Sequence, residues 1–149
     1  RLFSKKQSVA DVSNEARRWG SGEIITKHLA VDVSEAKITI TQKIQANQDL
    51  KNPIIGLRIK DAASREILGT NTKLEHIKIG ELRAKQLTTI KWELPNILSD
   101  GKYSVDPAII LEDGISTADW WDDAITVKIV KDRRIPYAID PGYRVTVES

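Results

Sequence analysis

Asp119 to Val130, "DWWDDAITVKIV", joins a pair of tryptophans among carboxylates to a run in which apolar and polar residues alternate. Ile125, Val127 and Ile129 fall on one phase and Thr126 and Lys128 on the other. A period of two marks a strand with one buried face. Carried back through Asp123, the same phase points Trp121 toward a core and Trp120 away from it.

The period recurs along the chain from about residue 23. Ile38, Ile40 and Ile44 alternate with Thr39, Thr41 and Lys43, and Ile55, Leu57 and Ile59 with Gly56, Arg58 and Lys60. Ile90, Trp92 and Leu94 alternate with Lys91 and Glu93, while Tyr103, Val105, Ile109 and Leu111 share a phase. "EIITKHLAVDV" is a less regular candidate, and Tyr143, Val145 and Val147 form a last one. Turn chemistry separates these runs in "NQDLKNP", "DAAS", "SDG", "EDG" and "DPG". No long amphipathic helix interrupts them. The pattern predicts an all-β fold, an antiparallel β-sandwich of immunoglobulin-like or jelly-roll-like type with seven to eight strands.

A chain of 149 residues holds one such core comfortably. Residues 1–22, polar and ending in glycines, read as a linker; 23–131 as the sandwich; and 132–149 as a proline-bounded arm whose strand is available for exchange in a dimer. The opening on Arg1 and the absence of methionine read as a domain cut from a longer protein. A net charge of +2 is too small for a nucleic-acid-binding field. No apolar run is long enough to span a membrane as a helix. With no cysteine there is neither a disulfide nor a thiolate metal site.

Recognisable catalytic chemistry is missing. His28 and His76 lack the spacing of a metal pair, no G-x-S-x-G elbow occurs, and the glycines of "RRWGSGEIITK" lack the Gly-Lys-Ser/Thr ending of a phosphate loop. Asp119, Asp122 and Asp123 have the composition of a glycosidase pair or a calcium loop. Carboxylates so dense in a turn are read instead as solvated, and the spaced D-x-D-x-D-G pattern is absent.

Four segments in order, "RRWGSGEI" (Arg17 to Ile24), "ILGTNT" (Ile67 to Thr72), "IKWELPNILSDGKYSVDPAI" (Ile90 to Ile109) and "DWWDDAITVKIV", resemble the C-terminal domain of Wzt, the ATP-binding subunit of polysaccharide ABC exporters. The resemblance covers roughly residues 17–130, and departs where Thr126 or Val127 replaces a usual aromatic. It implies a non-catalytic carbohydrate-binding sandwich that engages a lipid-linked, O-antigen-like or cell-wall glycan for export. ATP and magnesium would belong to a separate nucleotide-binding domain. The implied partners are the glycan, the transmembrane permease and a second copy of the chain, with no nucleic acid. The implied location is cytoplasmic, at the inner face of the plasma membrane. A structural dimerisation module and, less favoured, a glycan-cleaving enzyme are the alternatives.

Sugars are gripped by aromatic faces and by side chains that bond hydroxyls. Trp121 and Trp92 are read as core plugs; Trp120 stays open between plug and sugar platform, and Trp19 is open too. The outward phases supply the other binding candidates: Thr39, Thr41, Lys43, Arg58, Lys60, Thr89, Lys91, Thr126 and Lys128. Gly69 and Asn71 of "GTNT" are expected to supply left-handed backbone at a tight strand exit.

Overall fold

The computed structural model describes residues 5–11 and 17–148. In chain order its strands are β1 (Lys5–Asp11), β2 (Arg18–Trp19), β3 (Ile24–Val33), β4 (Lys37–Ala46), β5 (Leu50–Lys51), β6 (Ile54–Asp61), β7 (Glu66–Asn71), β8 (Glu81–Leu82), β9 (Leu87–Pro95), β10 (Gly101–Ile110), β11 (Thr117–Trp121) and β12 (Ile125–Ile129). Every strand pairing is antiparallel. One sheet has the order β1-β3-β4-β9 and the other β2-β11-β10-β6-β7, with β12 also on β10; β5 and β8 form a small ribbon. The fold is the expected all-β sandwich, with more strands than the long alternating runs reveal. Part of the excess is the two-residue strands β2, β5 and β8, too short to show a period.

One register shift explains where the period falters. In β3 the pairing to β4 slips between Thr26 and His28. The buried positions accordingly change from Ile24 and Thr26 to Leu29, Val31 and Val33. Along the edge of β10, β12 pairs with Gly101 to Val105 and β11 with Ala108 to Ile110. From Trp120 opposite Ala108 to Ile125 opposite Val105, the outer chain takes five steps while β10 takes three. The two extra residues preserve the phase, so Trp121 faces the same core as Ile125 and Val127. Trp121 is the plug; Trp120 lies on the opposite side of the sheet.

The linker and arm readings meet two differences. Within 1–22, β1 pairs with β3 and β2 with β11. In the arm, Leu98 bridges Ile139, and the Ala138 carbonyl accepts from the Ser99 N–H at 3.1 Å. Beyond that anchor, the run containing Tyr143, Val145 and Val147 forms no strand among the described residues. These three side chains are 71, 83 and 93 % exposed.

Between the sheets lie two aliphatic clusters. One is built around Leu29, Ile40, Val105 and Trp121, the other around Ile24, Ile44, Ile55 and Ile109, and Trp92 packs against both. A chain of polar contacts crosses this core. The Trp92 indole N–H donates to Gln42 Oε1 at 2.9 Å, and Gln42 Nε2 donates to Thr26 Oγ1 at 3.1 Å. The Thr26 backbone N–H donates to Asp119 Oδ2 at 2.8 Å. Arg18 completes the chain by donating to both Asp119 oxygens at 2.7 Å, and to the Thr26 carbonyl at 2.6 Å. Its guanidinium lies 4.4 Å from the centroid of Trp121. Asp119 and Arg18 are both nearly sealed from solvent.

Removing one partner of a buried, bonded pair strands the other charge. Asp119→Ala is therefore expected to lower unfolding free energy by about 3–5 kcal/mol, read from urea denaturation followed by tryptophan fluorescence. A loss under about 1 kcal/mol, the range of exposed pairs, would show that the contact does not hold the sheets together.

Candidate functional site

The strand order separates the expected binding residues into two groups. Thr39, Thr41 and Lys43 on β4 and Thr89 and Lys91 on β9 share the outer face of the first sheet, with Thr41 opposite Lys91 and Lys43 opposite Thr89. Arg58 and Lys60 on β6, Trp120 on β11, and Thr126 and Lys128 on β12 belong to the second sheet. With the hydrophobic core between the two sheets, the groups cannot line one site.

On the second sheet, register aligns a row across five strands. Trp19 of β2 stands opposite Trp120 of β11, Trp120 opposite Ala108 of β10, Ala108 opposite Gly56 of β6, and Gly56 opposite Asn71 of β7. Large residues thus begin the row, two of the smallest follow, and a side-chain amide ends it. The dip over Ala108 and Gly56 is a cavity of about 250 Å³, bordered by Ile54, Ile110, Arg58, Asn71, Leu74 and Trp120. Gly56 permits the close approach of β7, since a Cβ there would stand 2.9 Å from the Thr70 carbonyl oxygen and from Asn71 Cβ.

"GTNT" differs from expectation. Gly69 and Asn71 are ordinary members of β7 and neither has a left-handed backbone. Gly69 is required by proximity, since a Cβ there would stand 2.9 Å from the Leu57 carbonyl oxygen. Asn71 Oδ1 caps the following turn by accepting from the Leu74 N–H at 2.8 Å.

One wall is aromatic. Trp19 and Trp120 stack with centroids 5.9 Å apart and planes 17° off parallel, and the Arg58 guanidinium lies 5.0 Å from the Trp120 centroid. The Trp120 indole N–H donates to Asp122 Oδ1 at 2.9 Å. Trp120 is therefore held upright on the outer face, partly buried, while Trp19 extends the aromatic row to the sheet edge and is 57 % exposed.

Beside the groove lies an ionic cluster. Arg58 Nε donates to Asp106 Oδ2 at 2.6 Å, and its other nitrogens reach Asp122 at 3.4 Å and Glu66 at 3.5 Å. Burial works against the Arg58 charge, but the bond to Asp106 and the surrounding carboxylates outweigh it and raise the pKa. Lys60 Nζ lies 3.0 Å from both Asp106 and Asp123. Burial again opposes its charge, and the bonds to Asp123 and Asp106 carry the pKa above that of an ordinary lysine. Asp123 is pulled below the usual carboxylate range: burial would raise it, but the bonds to Lys60 and Ser104 and the charges of Lys60 and Arg17 prevail. Arg17 pairs with Asp123 from the other side.

The acidic turn is thus not the solvated cluster its composition implied. Asp119 is committed to Arg18, Asp122 to Arg58 and Trp120, and Asp123 to Lys60 and Arg17. Lys60, an expected ligand group, is enclosed by carboxylates. Among the described residues, no three His, Asp or Glu side chains are grouped to hold a metal ion.

A larger cavity of about 560 Å³ lies at the end of the sandwich, among Glu35, Asn96, Lys131, Arg133 and Asp140. Among the described residues its one aromatic, Tyr143, belongs to the exposed arm. The groove, with a fixed aromatic wall and an apolar floor, is the better-built site.

Ala108, Gly56, Asn71, Asp106 and Asp122 escaped selection as binding residues. Gly56 stands on the outward phase with Arg58, and Ala108 on the phase opposite Ile109. What the sequence lacked was the register that sets them side by side.

Comparison with known proteins agrees with this architecture. No curated protein sequence matches the chain. A solved structure described as the C-terminal domain of wzt superposes with a TM-score of 0.81 at 19 % identity, over 93 % of this chain and 92 % of that one. The sequence model of the Wzt C-terminal domain matches residues 15–139. The chain therefore belongs to the Wzt C-terminal domain family, the transporter domain that its four ordered segments resemble.

Proposed function

We propose that this domain binds a bacterial surface polysaccharide without cleaving it, in the groove on the outer face of the second sheet, and so couples the glycan to export by an ABC transporter. The row Trp19–Trp120–Ala108–Gly56–Asn71 carries the reading. It offers a sugar ring an aromatic wall, a floor low enough to admit it and an amide as partner for hydroxyls, with the Asp122 carboxylate beside Trp120. The first sheet's outer face offers hydroxyls and cations in Thr39, Thr41, Lys43, Thr89 and Lys91, but no aromatic side chain from those five.

In this reading the domain works beneath the membrane, beside the transmembrane permease, and holds a lipid-linked glycan near the transporter. ATP and magnesium are handled by a nucleotide-binding domain elsewhere in the complex. Contact with each sugar need only be weak, because tethering raises the local concentration of the polymer.

A second reading, compatible with the first, makes the domain a dimerisation module. The alternating run Tyr143, Val145, Val147 is exposed and forms no strand among the described residues. The arm reaches it through Pro136 and Pro141. β7 and β9 end their sheets, and a partner's strand added there would cover both an open edge and the arm's apolar side chains.

Titration of the purified domain with its cognate glycan, followed by NMR, tests the first reading. Shifts are expected at the Trp120 indole and the Asn71 amide. Ala108→Leu, which fills the floor, is expected to weaken binding at least tenfold, about 1.4 kcal/mol. Thr41→Ala with Lys91→Ala, on the opposite sheet, should leave affinity unchanged. No shifts at millimolar glycan would dispose of the proposal.

The arm is tested separately. Light scattering should give a dimeric mass for the whole chain and a monomeric mass after deletion of residues 136–149. An unchanged dimer would remove strand exchange.

A further inference from the structure

We infer that the groove selects uncharged sugars and discriminates against uronic acids and phosphate-bearing glycans, an inference that rests on the glycan-binding reading above. Among the described residues that border the groove, Arg58 is the one cation. Its guanidinium is already shared among Asp106, Asp122 and Glu66 and lies over Trp120. Lys60, the next cation on the same strand, is almost buried, with its ammonium between Asp106 and Asp123. Arg17 is bonded to Asp123. The cluster therefore sets three cations, Arg17, Arg58 and Lys60, against four carboxylates, Asp106, Asp122, Asp123 and Glu66.

An incoming carboxylate or phosphate would meet a cluster that already holds more carboxylates than cations, and a full ion pair with Arg58 would draw it away from Asp106. Releasing Arg58 would leave Asp106, fully buried, with one cation fewer. That exchange is unfavourable, because a buried charge deprived of its partner is costly. It would also unseat the cation over Trp120 and loosen the groove wall. A neutral ring requires no such exchange. Its apolar face meets Ala108, Ile54, Ile110 and Leu74, while its hydroxyls can donate to the partly exposed carboxylates of Asp122 and Glu66 that already face Arg58. A carboxylate oxygen has lone pairs for more than one donor, so a sugar hydroxyl adds to the network without dismantling it. The outward cations read from the sequence are thus divided among the opposite sheet, where Lys43 and Lys91 stand, this neutralised cluster, and Lys128 on β12, which pairs with Lys102 at the far end of β10 from Ala108.

The test uses the purified chain on an array of bacterial glycans, both neutral and bearing uronic acid or phosphate. Calorimetric titration then compares neutral mannotriose with the mannuronic acid trisaccharide, which differ in charge at C6. Binders on the array are expected to be neutral and to be lost in Ala108→Leu. Mannotriose is expected to bind at least tenfold more tightly than the acidic trisaccharide, with a Kd that hardly changes between low and high salt. Asp122→Asn, which removes one carboxylate beside the groove, should narrow the preference several-fold. A groove-dependent preference for acidic glycans, or equal affinity for both trisaccharides, would overturn the inference and leave glycan binding standing. No binding by any glycan would defeat the glycan reading itself, and the charge preference with it.

Discussion

The carboxylate of Asp119 connects both sheets through groups that have little access to water. It accepts two hydrogen bonds from Arg18 of β2 and one from the backbone of Thr26 of β3, although Asp119 itself belongs to β11. Through Thr26 the contact continues to Gln42 of β4 and Trp92 of β9. A hydrophobic core resists separation but tolerates sliding; fixed donors and acceptors across it do not. The clamp therefore sets the register of β11 against the opposite sheet, and that register decides which tryptophan faces in. With Asp119 pointing inward, Trp121 does too, beneath the Arg18 guanidinium. Trp120 then faces outward and becomes the groove wall.

The fold was legible because the chain states its period repeatedly. Ile38 and Ile40, Ile55 to Ile59, and Ile125 to Ile129 all bury the predicted side. Where the reading weakened, an irregularity of the backbone was responsible. "EIITKHLAVDV" looked irregular because β3 slips by a residue after Thr26, so its inward positions change parity. The acidic turn misled in another way. Density of carboxylates argues for solvation only when no cation arrives from elsewhere, and here Arg17, Arg18, Arg58 and Lys60 all arrive from distant sequence. The phase that sent Trp121 inward sends Asp119 inward too, two residues earlier. A charged residue on an apolar phase was thus the available signal of the clamp.

The groove was legible only in fragments. Outward phase identified Arg58, and it also carried Gly56 and Ala108, but a glycine or alanine on an exposed face has no distinguishing chemistry by itself. They become a floor because three registers, β11 to β10, β10 to β6 and β6 to β7, align them between Trp120 and Asn71. No local pattern encodes that alignment, since it follows from which strands are neighbours. The same fact separates Thr39, Thr41, Lys43, Thr89 and Lys91 from the groove, although their phase and chemistry resemble those of the residues on the other face.

The groove wall and the clamp share one short segment. Arg17 braces Asp123, Arg18 holds Asp119, and Trp19 stacks on Trp120, so three consecutive residues serve the turn, the core and the outer face in succession. Strand alternation makes this possible, because neighbours on β2 point to opposite sides of the sheet. β2 itself has only two residues and two register pairs with β11, extended by backbone bonds from Asp122 to Arg17, from Ser21 to Thr117 and from Gly22 to Ala118. Its side chains add to that hold through Asp119, Trp120, Trp121 and Asp123, all within "DWWDDAITVKIV". That stretch thus closes the core with one tryptophan and builds the binding face with the other, and both depend on the chain that precedes the sandwich being docked against it.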